Sequence, residues 1–225
     1  MSLPFEFFDR EADVAISEGR LPHWEQSGKT YFITFRTADS MPADVFERWH
    51  QKRRDGLLRH GIDLHDENWS DRLAELEWRF QRQFHETISR EFHQHLDSGY
   101  GKCVLRQREL GEIVAKSLRH FDGERYRKGD FVVMPNHVHA LVQLWGDTRL
   151  KKQCYSWKKY TATQINRALG GEGEFWQKES FDHLVRGSDQ FERIRRYIAD
   201  NPANARLKPG EYTHYRMPDH TSETQ

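Results

Sequence analysis

Residues 129–145 read GDFVVMPNHVHALVQLW, and this stretch decides how the rest is read. Pro135 and Asn136 suit the centre of a tight turn, so the segment is expected to form two antiparallel strands, Phe131–Met134 and His137–Trp145. Side chains two apart on a strand point the same way. His137, His139, Leu141 and Gln143 would then share one face, and Val138, Ala140, Val142 and Leu144 a wholly apolar other. Two imidazoles on one face hold a divalent ion when another element supplies a third ligand. In a chain with thirteen histidines the pair alone is a weak signal, and it reads more readily as two strand histidines at a sheet edge.

On either side of this hairpin the chain alternates between strand and helix patterns. KTYFITFRTAD (residues 29–39) sets Tyr31, Ile33 and Phe35 against Phe32, Thr34 and Arg36, a strand. The segment 41–61 opens with a proline and closes on a glycine, as a helix does. From Ser70 to Gly99, Leu73, Leu76, Phe80, Phe84, Ile88, Phe92 and Leu96 recur at three or four residues and predict one long amphipathic helix. RELGEIVAKSLRHFDG (108–123) and RLKKQCYSWKKYTATQINRALGG (149–171) are further helices. FWQKESFDHLVR (175–186) is irregular or a short strand, and SDQFERIRRYIADNP (188–202) is a helix with Ser188 as N-cap and Pro202 just past its end. Helices interspersed with an antiparallel hairpin predict an α+β domain.

Composition bounds the function. At 225 residues with 36% hydrophobic and 31% charged residues, the chain suits one domain with an insertion, and seven Trp and fourteen Phe supply a core. No apolar run reaches the roughly 18 residues of a membrane span, and the N-terminus lacks the pattern of a secretory signal. Two cysteines do not make a disulfide framework. The expectation is a cytoplasmic protein without membrane association.

Thirty-five basic residues balance thirty-five acidic ones, yet the two are segregated. Arg149, Lys151, Lys152, Lys158, Lys159 and Arg167 span a stretch without a single acid, and Arg186, Arg193, Arg195, Arg196, Arg206 and Lys208 surround Tyr197. Acids gather in the N-terminal arm and between Asp63 and Asp97. A basic C-terminal half fits a nucleic-acid partner; mutual neutralisation of the two halves is the plainer reading. Lys158 and Lys159, interleaved with Tyr155, Trp157 and Tyr160, have the mix of cations and stacking rings that single-stranded DNA binding uses. The same pattern also describes an amphipathic helix with solvated lysines. On the last helix Arg193, Tyr197 and Asn201 are spaced by four and share a face, and Asn201 precedes a proline, which is expected to end the helix and free its amide.

Together, VVMPNHVHALVQL and, some thirty residues on, FWQKESFDHLVRGSDQFERIRRYIADNPANARL resemble the REP-associated tyrosine transposases, within the single-tyrosine HUH transposases. The resemblance covers residues 29–39 and nearly everything from about 108 to 207. It implies a ferredoxin-like antiparallel sheet flanked by helices, His137 and His139 as metal ligands, Tyr197 as nucleophile, and Asn201 as the third ligand. The implied ion is Mg2+ or Mn2+. Two imidazoles and an amide are an unusual cage for such an ion unless phosphate oxygens and water complete its shell. The implied partner is single-stranded DNA bearing a hairpin, cleaved and rejoined through a 5′-phosphotyrosine, by a monomer or a homodimer. Lys158, Lys159 and Arg193 are the expected DNA contacts. Tyr160 is a rival nucleophile, ranked lower because Gln164, four residues on, lacks the helix-ending position of Asn201.

The expected organisation is an arm at 1–29, a transposase-like domain at 30–210 interrupted by a helical insertion at about 62–102, and a tail at 211–225. The insertion is expected to lie as a solvated helix over the sheet. Two other readings remain: a catalytically inactive hairpin-binding protein of the same fold, and a zinc-dependent hydrolase.

Overall fold

Period-two alternation of large apolar side chains fixes the centre of the molecule. The computed structural model describes residues 5–13, 15–17, 23–66 and 68–218. β3 (Thr30–Arg36), β4 (Tyr126–Val133), β5 (His137–Leu144), β6 (Phe181–Leu184) and β7 (Thr213–Tyr215) form an antiparallel sheet in the order β6-β3-β5-β4-β7. A separate ribbon pairs β1 (Ala15–Ser17) with β2 (His23–Glu25). With α4 (Arg108–His120) between β3 and β4, and α5 (Leu150–Leu169) between β5 and β6, the core is βαββαβ. Its order is that of a ferredoxin-like fold, with β7 added beside β4. The protein is α+β, as the alternation of patterns predicts.

β5 is the central strand, so its histidines are far from any sheet edge. Every residue from His137 to Leu144 is buried. Val138, Ala140, Val142 and Leu144 pack with Tyr31, Ile33 and Phe35 of β3 against α4 and α5. At about 1.5–3 kcal/mol for each large aliphatic side chain withdrawn from water, this face commits the strand to one register. A slip by one residue would bury the imidazoles under α5 and turn the valines toward the opposite face. Trp157 of α5 donates its indole N–H to Tyr126 Oη (3.1 Å), and Tyr126 Oη donates to the Leu118 carbonyl (3.0 Å), joining α5, β4 and α4 without leaving a buried donor unpaired. Gly129 sits where the β4–β5 register shifts. A Cβ there would lie 2.9 Å from the Leu141 Cβ, which only glycine avoids.

The second face carries Phe32, Val132, Met134 and Leu141, covered by α6 (Ser188–Asn204) through Phe191 and Ile198. Phe5 from the N-terminal arm meets Phe191 as a tilted ring pair at 4.8 Å, and Met217 closes the cluster from beyond β7. Segments before β1 and after β7 thus both contribute to this cluster. Among the described residues, no helix is long and apolar enough to cross a membrane.

Three helices lie between β3 and α4: α1 (Ala43–Leu58), α2 (Trp69–Glu75) and α3 (Trp78–Asp97). The single helix predicted from Ser70 to Gly99 is broken at Leu76, whose backbone is extended. The apolar stripe serves two cores. Leu73 joins Leu57, Ile62 and Trp69, while Ile88, Phe92 and Leu96 pack on Met41, Val45 and Trp49. A straight helix would not reach both along the one length of α1, so packing overrides periodicity. A second correction concerns α6. It runs through Pro202 to Asn204, with Gly187 as N-cap residue and Ser188 as its first residue. Proline in the last turn forfeits one N–H bond, and Ala205 N–H to Asn201 O (3.0 Å) and Leu207 N–H to Pro202 O (2.9 Å) satisfy the carbonyls around it.

Candidate metal and tyrosine site

His137 and His139 project from the second face of β5, beneath α6 and beside the C-terminal end of α3. Each is oriented through Nδ1. Asn136 donates its amide N–H to the carbonyls of Tyr100 (2.9 Å) and Leu96 (3.4 Å), so its Oδ1 must be the atom 2.8 Å from His137 Nδ1, and the imidazole must donate. His139 Nδ1 lies 2.8 Å from Thr34 Oγ1. With the proton on Nδ1, the Nε2 lone pair of His139 accepts from Tyr197 Oη at 3.2 Å. In that tautomer both imidazoles turn an Nε2 lone pair toward the same space, as ligation through Nε2 requires. Burial, with each imidazole repelling charge on its neighbours, lowers His137 to about 3 and His139 well below its ordinary value, so both stay neutral.

Tyr197 and Asn201 come from successive turns of α6. Tyr197 is sandwiched by rings: Phe32 meets it edge-on at 6.0 Å and His93 of α3 stacks at 5.5 Å. Burial first, and then the Asp97 charge, push its hydroxyl well above the ordinary tyrosine range. Asn201 is fully buried within the helix, not freed at its end, and donates from Nδ2 to Asp97 Oδ1 at 3.2 Å. Its Oδ1 and His137 Nε2 are buried without a hydrogen-bond partner. Orphaned acceptors at this depth each cost about 1–3 kcal/mol, and a cation would satisfy both.

Asp97, the last residue of α3, is the component that sequence reading missed. Its Oδ1 is 3.6 Å from His137 Nε2, and one ligand atom from each of Asp97, His137 and His139 lies within 4.8 Å of the other two. Burial raises its carboxyl to about 6. The donor set of two imidazoles, an amide oxygen and a carboxylate suits a divalent ion. The signal was available in part: His93 and Asp97 are four apart on one helix face, but that helix reads as an insertion remote from the motifs.

α6 is held in place by a second overlooked group. Arg195, counted above among the basic residues around Tyr197, is buried, with Nε 3.1 Å from Asp130 Oδ2 and Nη2 donating to the Met217 carbonyl at 3.1 Å; Met217 N–H completes the ring to Asp130 Oδ1 at 2.9 Å. A cleft of about 990 Å3 leads from solvent to Tyr197 and Asp97, lined by Arg10, Arg90, Arg186 and Arg193. Arg193 thus stands where a polyanion would enter. Lys158 and Lys159 do not join it, because α5 covers the opposite face of the sheet. Lys158 Nζ donates to the carbonyls of Gln177 (3.1 Å) and Lys178, and Lys159 lies 5.7 Å over the Tyr155 ring. Tyr160 is about half exposed on that same helix, across the sheet from both histidines.

Fold and site define a ferredoxin-like domain with a candidate metal centre on its central strand and a tyrosine beside it. Residues 104–201 match the family model of the IS200-like transposases. The matched segment is just under half of the chain and contains His137, His139, Tyr197 and Asn201, which bears out the resemblance read from the two motif blocks. β3 and α1–α3 lie outside it. A solved structure described as a REP-associated tyrosine transposase bound to a REP hairpin is similar, at 14% identity and a TM-score of 0.44 over 93% of this chain and 98% of that one. No curated protein matches the chain.

Proposed function

We propose that the protein is a single-stranded DNA transposase that cleaves and rejoins strands near hairpins through a covalent 5′-phosphotyrosine on Tyr197. In this reading His137, His139 and Asn201 hold Mg2+ or Mn2+. The observation that carries it is the 3.2 Å contact between Tyr197 Oη and His139 Nε2 within one chain, beside two orphaned acceptors. When bound, the ion supplies Lewis-acid neutralisation of the scissile phosphate. Tyr197 Oη loses its proton and attacks phosphorus, the P–O3′ bond breaks, and the 3′ oxygen takes up one proton in exchange and leaves as a hydroxyl. A 3′-OH of another strand reverses the step and frees Tyr197.

The chain's own groups prepare this step. His139 Nε2, now in contact with Tyr197 Oη at 3.2 Å, is the atom that would hold the ion, and Tyr197 Oη would then be without this partner. Asn136 and Thr34 keep the two imidazoles aimed, and the Asp130–Arg195 pair fixes the helix that carries Tyr197. Arg193 draws the backbone into the cleft by its charge. Lys159, with Tyr155, offers at most a second contact on the far face. The hairpin preference rests on the family resemblance alone.

The test is incubation with labelled single-stranded hairpin oligonucleotides from DNA flanking the gene, with Mn2+, Mg2+ or EDTA, resolved on a denaturing gel. A metal-dependent covalent band that Tyr197→Phe and His139→Ala both abolish supports the proposal. Binding without any adduct supports a DNA-binding protein that lacks the cleavage activity.

A further inference from the structure

The insertion between β3 and α4 contributes more than a covering layer. Its helix α3 ends at the site, where the Asn136 side chain ties the carbonyls of Leu96 and Tyr100 to the turn preceding His137. Asp97, between those two carbonyls, reaches the histidine pair with Oδ1 3.6 Å from His137 Nε2. Leu96 is fully buried, which anchors the end of the helix. The family match begins only at residue 104, so Asp97 belongs to a part of the chain outside the matched segment.

Resting on the reading that His137 and His139 hold a divalent ion, we propose that Asp97 is a further protein ligand of that ion, supplied by the helical insertion. Three arguments converge. First, the ligand atoms of Asp97, His137 and His139 all lie within 4.8 Å of one another, and among the described residues no other group of this kind is found. Second, His137 Nε2, 3.6 Å from Asp97 Oδ1, and Asn201 Oδ1 are both buried with no hydrogen-bond partner. The amide donates from Nδ2 to Asp97, a bond that orders the carboxylate from the side. Third, two neutral imidazoles and one amide are a poor match for a hard dication, and one carboxylate corrects the set toward the oxygen-rich shells such ions prefer. An ion held by an anion also keeps less positive charge for a phosphodiester. Asp97 therefore trades Lewis acidity for retention of the metal.

The test is direct binding of Mn2+ to the full-length protein, followed by electron paramagnetic resonance of the free ion, for wild type, Asp97→Asn and His137→Ala. Asparagine keeps the shape of the side chain and an acceptor for Asn201, and near-ultraviolet circular dichroism checks that each variant is folded. The proposal predicts one site in wild type, at least tenfold weaker binding in Asp97→Asn on the scale of changes around metal sites, and loss of the site in His137→Ala. Equal affinity of wild type and Asp97→Asn, with loss in His137→Ala, would overturn the role of Asp97 and leave the histidine site standing. No binding by wild type would overturn both.

Discussion

Replacing Arg195 by Met tests how Tyr197 is held. The Arg195 and Asp130 side chains are 8% and 1% exposed, so neither charge is screened by bulk water. The substitution leaves Asp130 with only the Met217 N–H bond at 2.9 Å and strips the Met217 carbonyl of its 3.1 Å donor. Breaking a buried pair from one side costs about 3–5 kcal/mol, because the surviving charge stays desolvated. For a chain of 225 residues, at about 2–4 °C per kcal/mol, the melting temperature should fall by roughly 6–20 °C. Asp130→Leu combined with Arg195→Met should be milder than Arg195→Met alone, since no buried charge is left over. Thermal melts by circular dichroism give the stabilities, and adduct yield at a temperature where all variants are folded reports the position of α6. A loss for Arg195→Met below about 1 kcal/mol, the range of exposed pairs, would refute the clamp.

Asn136→Ala removes the acceptor that orients His137 and the donor that ties down α3. Mn2+ affinity should fall about 10–100-fold, measured by titration, while Lys159→Ala leaves it unchanged. Tyr160→Phe should leave adduct yield at the wild-type level, since that hydroxyl stands across the sheet from the histidines. Burial pushes the Cys154 thiol up to about 12 and raises Cys103 less. The thiolate is the reactive form and is scarce while pH stays below the thiol's pKa. At pH 8 a thiol-specific reagent should therefore label Cys103 slowly and Cys154 only after denaturation, read by mass spectrometry.

The hairpin, the apolar face of β5 and the shared face of His137 and His139 were legible in sequence because period-two alternation is local and strong. The link from Tyr197 to His139 was legible only through the resemblance, since residues 58 positions apart meet by a chain path that no periodicity encodes. Asn201 was read as terminal because proline disfavours helix before it; the packing of Ile198 and Pro202 carries the helix one turn further. Asp97 and His93 were hidden for a different reason. Their helix has an ordinary amphipathic pattern, and which charged residue of its polar face meets the core depends on the break at Leu76 and the anchor at Asn136. Arg195 looked like its neighbours Arg193 and Arg196 until Asp130, on β4, singled it out. The lysines of α5 show the converse: composition suggested a contact surface, and topology put it behind the sheet.

The most direct measurement is the site of attachment in the protein–DNA adduct. The protein would be reacted with a hairpin oligonucleotide and Mn2+, digested with nuclease and protease, and the peptides sequenced by mass spectrometry. The account predicts a nucleotide 5′-phosphate esterified to the hydroxyl of Tyr197, with none on Tyr155 or Tyr160. A modified tyrosine elsewhere, or cleaved DNA with no modified peptide, would contradict it.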